Sequence, residues 1–378
     1  MGIDTLVIGD NMNKYIHTLK ELCLEITGVC PLNCMHCSGS CGLDTPNTMS
    51  LPQILKIVED FSKMGGELLE ISGGEPLIHP DLEQVVGYAK KNDIEPILYT
   101  SGNMLDKDGR ITPLNTNLAQ KLRGNLQKVI FNLQGACQST HEAITRVRGS
   151  FRNTITSIKT AKSLGYWVGV HFVPMKLNYM ELEGLLLLCH DLKVDEVGIL
   201  RFVPQGRGEV NRTLLELSLE EFKKLNKKLT EVSFKHQNPK LRVGRPVDFR
   251  FLFNRSVVKA PCDAGISRCL ITPEGNVTPC PAFKRNRQFI AGNIMKSSLL
   301  KIWTESPIWR KFRFFRDDKV SDPCKSCEHF LLCKGGCVAQ RTLAYSNDVY
   351  ATPDPRCFKR LIEVEAICPS CARDRGEL

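Results

Sequence analysis

Six times between residue 21 and about 205, a short stretch rich in β-branched and aromatic residues gives way to a longer amphipathic one. The strand-like stretches are "ELCLEIT" (21–27), "LLEIS" (68–72), "PILYTS" (96–101), "KVIFNLQ" (128–134), "WVGVHFVP" (167–174) and "VGILRFVP" (197–204), bounded by Gly, Pro or Asn. Between them lie segments such as "LPQILKIVEDFSKMG" and "DLEQVVGYAKKND", with apolar residues at helical spacing. The first begins with Ser50 followed by Gln53, the pattern of a capping box. Repeated strand–helix units predict a parallel sheet, because each return crosses a face of the sheet. Six of them predict an α/β fold, a partial (β/α)6 barrel of the TIM type with one side open to a large substrate.

In parallel barrels, chemistry gathers where strands end and loops begin. Three polar loops fall there: "CPLNCMHC" after the first strand, "GGEP" after the second and "TSGN" after the third. The first holds Cys30, Cys34 and Cys37, spaced by three and then two residues. Three thiolates can hold an iron–sulfur cube and leave one iron open to a ligand. A half zinc site, or a cube whose fourth ligand lies elsewhere, for instance Cys41, is the competing reading, although zinc pairs usually have two or four intervening residues.

The chain carries 17 cysteines, and neither end of the sequence explains them as disulfides. "MGIDTLVIGDNMNKYIHTLK" lacks the basic and long apolar regions of a secretory signal, and no apolar run approaches the roughly 18 residues that span a bilayer. A cytoplasmic protein without membrane partners is expected. The net charge of +10 reads as a solvated surface, with Lys and Arg scattered in runs such as "KRNRQF", and no stacking or groove-reading motif points to nucleic acid. The organisation expected is an N-terminal extension (1–20), the barrel (21–225), a bridging region (226–260) and a cysteine-rich domain with a tail (261–378), whose core is organised by metal more than by apolar burial.

"CPLNCMHC" with His36 before its last cysteine, together with "ISGGEPL", resembles the radical S-adenosylmethionine (SAM) enzymes over roughly residues 20–225. The resemblance implies a cube on Cys30, Cys34 and Cys37 whose open iron is chelated by SAM, and reductive cleavage of SAM to a 5′-deoxyadenosyl radical. It also implies SAM contacts at Gly73, Gly74, Glu75 and Pro76, at Thr100, Ser101 and Asn103, at Arg146, and at Phe202 and Val203. Glycines at 73 and 74 would let the backbone approach the methionine group, and Glu75 would accept a hydrogen bond from its ammonium.

Farther on, Cys262, Gly275 and Cys280, then "CKSCEHFLLCKGGC" and Cys357, resemble the SPASM extension of a radical SAM subgroup. That resemblance implies two auxiliary four-iron clusters, one on Cys262, Cys269, Cys280 and Cys337 and one on Cys324, Cys327, Cys333 and Cys357, hence three [4Fe–4S] clusters in all. A pair of zinc sites is the alternative for these eight residues. Cys23 and Cys189 read as core residues. Cys137, after the fourth strand, is a candidate hydrogen-atom donor, and Cys368 and Cys371 form a "CPSC" of open purpose.

Auxiliary clusters suit a reaction that loses electrons. The expected activity is oxidative modification of a ribosomally made peptide or protein, by crosslinking, decarboxylation or dehydrogenation, as in maturases of redox-cofactor precursor peptides. The alternative is a small-molecule dehydrogenase or decarboxylase acting on a sugar or a tetrapyrrole side chain. About twenty residues precede the first strand, so a peptide substrate is expected to need a separate leader-recognition protein. A low-potential reductant of flavodoxin or ferredoxin type is the other expected partner.

Overall fold

The computed structural model describes residues 17–235, 238–244, 262–313, 319–345 and 347–357. Its first strands are β1 (Glu21–Thr27), β2 (Leu68–Gly73), β3 (Glu95–Thr100), a hairpin of β4 (Asn103–Leu105) and β5 (Ile111–Pro113), β6 (Lys128–Asn132), β7 (Trp167–Phe172) and β8 (Glu196–Ile199). Helices α1 (Leu51–Lys63), α2 (Leu82–Lys91), α3 (Thr116–Arg123), α4 (Gln138–Thr145), α5 (Ser150–Ser163) and α6 (Leu182–Asp191) fill the crossovers. All six expected strands are present and parallel, in the order β1-β2-β3-β6-β7-β8. Helix α1 starts as its sequence predicts: the Ser50 N–H donates to Gln53 Oε1 at 2.8 Å.

The sheet is wider than six strands. After α7 (Arg207–Val210), α8 (Arg212–Leu215) and α9 (Leu219–Lys235), the chain returns as β9 (Lys240–Val243), parallel to β8. At the other edge, β10 (Arg268–Ile271) lies parallel to β1, and β11 (Asn276–Thr278) and β12 (Gly292–Asn293) continue antiparallel from it. The cysteine-rich region thus begins inside the barrel's own sheet. The expected bridge contributes the end of α9 and all of β9; residues 245–261, and Cys368 and Cys371, lie outside the described residues.

Strand alternation sorts side chains onto two buried faces. Leu22, Leu24, Ile26, Leu69, Ile71, Leu98, Val129, Phe131, Val168, Val170 and Val197 pack outward against the helices. The apolar interior does not stop at the barrel: Trp303, on α10 (Leu299–Glu305), and Trp309 join the same core. The inner face carries charge. Glu70 pairs with Arg268 and accepts from the Tyr99 hydroxyl at 2.9 Å, and Arg242 joins Glu196 at 2.6 Å and the His171 ring at 2.9 Å. Burial, with Arg242 and Arg268 beside it, holds His171 down to about 3, so its ring is neutral in this lumen.

Candidate active site on the barrel rim

The cysteine loop leaves β1 and is pinned from three directions. Its Asn33 and Met35 N–H groups donate to Thr145 and Ile144 carbonyls at 3.1 and 2.9 Å, using acceptors that the C-terminus of α4 leaves free. Arg207, at the start of α7, donates from Nε to Cys34 O at 2.9 Å and from Nη2 to Cys41 O at 2.7 Å, while its own N–H donates to Cys37 O. From the cysteine-rich region, Arg285 donates to Gly39 O at 2.8 Å, and Lys284 reaches Glu25 of β1 at 2.7 Å beneath the loop. Gly206 is required here: φ is 57°, and a Cβ would lie 2.7–2.8 Å from the Ser38 and Cys37 carbonyls.

Cys30, Cys34, Cys37 and Cys41 share one buried cluster with Leu32 and Val147. Burial pushes the Cys30 thiol up and the Cys34 thiol up to about 12, with a neighbouring thiol adding to each. Cys37 moves the other way, because the Cys41 thiol hydrogen-bonds to it and Lys284 and Arg207 stand near. The Cys41 N–H also donates to Cys37 Sγ at 3.4 Å. Cys41 therefore supports Cys37. Among the described residues no three side chains already stand in a closed metal-ligating arrangement; the loop brings thiols together as neighbours.

The second rim loop is built against the first. Gly73 has φ 137°, and added Cβ atoms would lie 2.3 Å from Thr27 O at Gly73 and 2.1 Å from Val29 O at Gly74. Gly74 and Glu75 N–H groups donate to those same carbonyls at 2.6 and 2.8 Å. The glycines thus let "GGEP" lie on the strand-to-loop junction, a closer reason than approach to a ligand. Pro76 opens a buried 3-10 turn. Glu75 is fully buried, and its carboxylate accepts from Leu77 N–H at 3.1 Å, from the Thr100 hydroxyl, and from Ser101 N–H at 2.8 Å and its hydroxyl. These four donors fill its acceptor positions. Burial still leaves its pKa above the usual value. In this arrangement Glu75 fastens the third rim loop to the second and does not present itself to an ammonium; Thr100 and Ser101 are the residues it fastens.

Orphaned polar atoms face this rim. Asn103 is wholly buried; its amide nitrogen donates to Ser101 O and Thr154 Oγ1, but its Oδ1 meets no donor among the described residues. His36 Nδ1, in the cysteine loop, and His141 Nε2, on α4, are likewise buried without partners. Burial, with Arg207 and His36 as the respective nearby groups, lowers both rings to about 4, so they are neutral. Asn103 Oδ1 is an acceptor, whereas His141 Nδ1 accepts from the Gln134 N–H at 3.1 Å, so its unpartnered Nε2 carries the ring proton and is a donor. A buried polar atom without a partner is costly unless a ligand supplies one. SAM, with hydroxyl and amine donors beside carboxylate and ring-nitrogen acceptors, fits such a mixed set.

Arg146 and Phe202 lie beside the loop. Arg146, exposed with φ 57°, follows the Thr145 that accepts from Asn33. Phe202 packs with Met35 and Ile144, and Val203 follows it with its carbonyl accepting from Gln205 N–H. Cys137 is placed differently: it is exposed at the N-cap of α4, with its sulfur near Ser139, Thr140 and Glu181 at 3.1–3.7 Å. Hydrogen bonds from Ser139 and Thr140 lower its pKa.

Two further thiol groups form in the cysteine-rich region. Cys324 and Cys327 pack in one cluster with Val320 and Phe330, and burial, with the Cys357, Cys333 and Cys327 thiols adding, pushes Cys324 up to about 11. Cys280 and Cys337 pack against one apolar cluster, and burial, with the Cys262 and Cys337 thiols adding, raises Cys280. Cys269 does not join them. In β10 it pairs in register with Leu22 and faces the helices, 0% exposed within the apolar core, while its neighbour Arg268 faces the lumen. Burial raises it to about 12, and the charges felt there are Arg268 and Arg313, not another thiol. The structure thus places Cys269 in the apolar core of the sheet, on the face away from Arg268. Moving it to the other face would need a one-residue slip of the strand.

One residue links the two groups. Asp354 accepts from Cys337 N–H at its Oδ2 (2.8 Å) and from Cys357 N–H at its carbonyl (2.9 Å). Arg201, just beyond β8, holds the same carboxylate from both nitrogens at 2.6 and 2.9 Å. Burial works against the Asp354 charge, and Arg201 overrides it, holding the carboxyl below its usual range. Sequence reading passed over Arg207, Lys284, Arg201 and Asp354; only the Gly206–Arg207–Gly208 triplet carries a local signal.

A radical SAM superfamily model matches residues 24–189, and a SPASM model, an iron–sulfur cluster-binding domain, matches residues 262–328. The chain is 29% identical over 367 residues to the mycofactocin maturase MftC of Mycobacterium tuberculosis (strain CDC 1551 / Oshkosh), covering 94% of this chain and 86% of that one. It is 26% identical to the AdoMet-dependent heme synthase of Methanosarcina barkeri (89% of this chain and 95% of that one covered) and 26% identical to the PqqA peptide cyclase of Gluconobacter oxydans (89% and 90%). The crystal structure of Streptococcus suis SuiB bound to S-adenosylmethionine superposes with a TM-score of 0.69 at 19% identity, over 90% of this chain and 77% of that one. Cysteine loop, glycine junction and C-terminal thiols thus belong to one scheme, that of an enzyme with a radical SAM domain over residues 24–189 and a SPASM domain over residues 262–328, which use SAM and iron–sulfur clusters.

Proposed function

We propose that this enzyme oxidatively modifies a ribosomally made peptide, using a hydrogen atom abstraction started from SAM. The observation that carries the reading is the rim itself. Three loop cysteines, the backbone junction at Gly73–Gly74 and the unpaired buried atoms of His36 and Asn103 converge where a parallel barrel does its chemistry. A cluster bound by Cys30, Cys34 and Cys37 would supply the electron that cleaves SAM. The chain's own residues do the rest: Arg207 and the end of α4 hold the loop, Glu75 locks the third loop in place, and the neutral His36 and Asn103 offer polar contacts to the ligand. Arg146 and Phe202, next to the loop, complete the proposed SAM contacts.

Two SPASM thiol groups support two auxiliary clusters, three clusters in total, with Cys324, Cys327, Cys333 and Cys357 around one and Cys262, Cys280 and Cys337 around the other. The maturase and peptide-cyclase relatives, aligned over most of the chain, favour a peptide substrate. A separate leader-recognition protein and a flavodoxin- or ferredoxin-type reductant are the proposed partners. The heme synthase relative favours a second reading, a tetrapyrrole side chain as substrate.

The test is anaerobic. Protein reconstituted with iron and sulfide receives SAM and dithionite, and 5′-deoxyadenosine is quantified alone, with candidate precursor peptides, and with propionate-bearing tetrapyrroles. Peptide-dependent acceleration with a mass change in the peptide supports the proposal. Acceleration by the tetrapyrrole alone replaces it with the second reading. No 5′-deoxyadenosine under any condition, from protein with about twelve irons, overturns both.

A further inference from the structure

Lys284 belongs to "KRNRQF", a run that reads as surface charge, yet its side chain is only 9% exposed. It ends under the cysteine loop, 2.7 Å from Glu25, itself 7% exposed. A Cβ placed on Gly39 would lie 2.7 Å from Cys41 Sγ and 3.4 Å from Lys284 Nζ, so ammonium and thiol flank the same loop residue. The segment that carries Lys284 is held at several points. Gln205 donates to Ala282 O, and Arg285 donates to Gly39 O at 2.8 Å. Four residues before Lys284 stands Cys280, one of the three grouped auxiliary thiols.

A buried ion pair is a poor device for stability, because desolvation offsets most of its attraction and an apolar pair of the same volume often does as well. Its placement is therefore more informative than its energy. The positive end points at the Cys37–Cys41 end of the loop and the negative end at β1. A fixed charge this close to cluster ligands acts on the cluster's reduction, since net charge and hydrogen bonding around the sulfurs set its potential.

The geometry points to Lys284 as a positioning residue for electron entry: its ammonium, oriented by Glu25, makes the cluster on Cys30, Cys34 and Cys37 easier to reduce. Because the segment that seats it starts at Cys280, the auxiliary region sets this bias from the far side of the loop. The inference rests on the cysteine-loop cluster of the proposed function.

Redox titration of the reconstituted full-length enzyme, followed by the electron paramagnetic resonance signal that changes on adding SAM, tests it. Lys284→Gln should move the midpoint of that signal to more negative potential, with a tenfold lower reduction equilibrium constant corresponding to about 59 mV for a one-electron couple. Glu25→Gln should move it in the opposite direction, and Lys284→Arg should restore most of the wild-type value. A residue that only packs would not give shifts of opposite sign. Unmoved midpoints in both Gln variants, at wild-type iron content, overturn the inference, as do shifts of the same sign. If Lys284→Gln loses iron, Glu25→Gln and Lys284→Arg decide alone. A wild-type enzyme with no SAM-responsive signal removes the cluster reading itself, an outcome distinct from unmoved potentials.

Discussion

Cys269 offers the sharpest check on how the SPASM thiols are divided. Replacing it by Ala removes one sulfur from a side chain that is 0% exposed and packed among core residues. The lost transfer energy of a methylene-sized group is roughly 0.8 kcal/mol. With a cavity term for a site that relaxes only partly, the whole cost is about 1–2 kcal/mol. For a chain of this length that lowers the thermal midpoint by only about 1–3 °C. Iron should not change, because the Cys269 thiol faces the helices while Cys262, Cys280 and Cys337 meet elsewhere. Iron and sulfide per polypeptide, with the auxiliary-cluster spectrum after reconstitution, are the assays, and Cys262→Ala is the control expected to lose about four irons. Loss of the same four irons in Cys269→Ala, with the protein still folded by circular dichroism, would refute the assignment of β10's faces.

Two further outcomes follow from charged contacts. Arg207→Met removes two charge-assisted bonds to Cys34 and Cys41 carbonyls; at about 1.5–3 kcal/mol each, reduced because the site is only partly buried, the loss is about 2–4 kcal/mol. Cysteine-loop iron should then be stripped by a chelator faster than in wild type, with Arg207→Lys between the two, and equal stripping rates in all three would contradict the clamp. Asp354→Asn breaks the pair with Arg201 and should cost about 3–5 kcal/mol. Because the folded carboxyl lies below its usual value, its contribution is complete above roughly pH 4 and fades as pH falls through that lowered value. The gap in urea midpoint between variant and wild type should stay flat from pH 8 to about 5 and close only in stronger acid, so a gap that closes near pH 7 assigns the effect to another group.

The barrel was legible because each of its six strands is a compact apolar word followed by a helix-period one, so local pattern and global topology agree. β9 and β10 escaped for opposite reasons. "KLRV" is half charged because Arg242 points into the polar lumen, and β10 is recognised only through its pairing with β1, nearly 250 residues away in sequence. The three rim loops were legible as a set, but the partners of Glu75 were not, since a carboxylate's neighbours depend on where other strands end. Cysteine spacing pointed to the SPASM domain but not to the core position of Cys269, because counting residues cannot tell which face of a strand a side chain takes. Lys284 and Arg207 looked like solvated cations, and only the fold shows them turned inward against carbonyls and thiols. Cys137 followed the right strand but landed on the exposed start of α4.

The strand pairing between β1 and β10 has a mechanical meaning. Domains in one chain usually swing about a linker, because the surface between them is small and polar. Here the join is a run of backbone hydrogen bonds continued by a tryptophan-rich core, with the Trp303 indole tied to His17 O at 2.6 Å. Among the described residues, the strand that leads into the cysteine loop and the strand that opens the cysteine-rich region are neighbours in one sheet. Clusters held at the two ends, as proposed, would have their separation set by strand pairing, and substrate would enter through the loops above the strands.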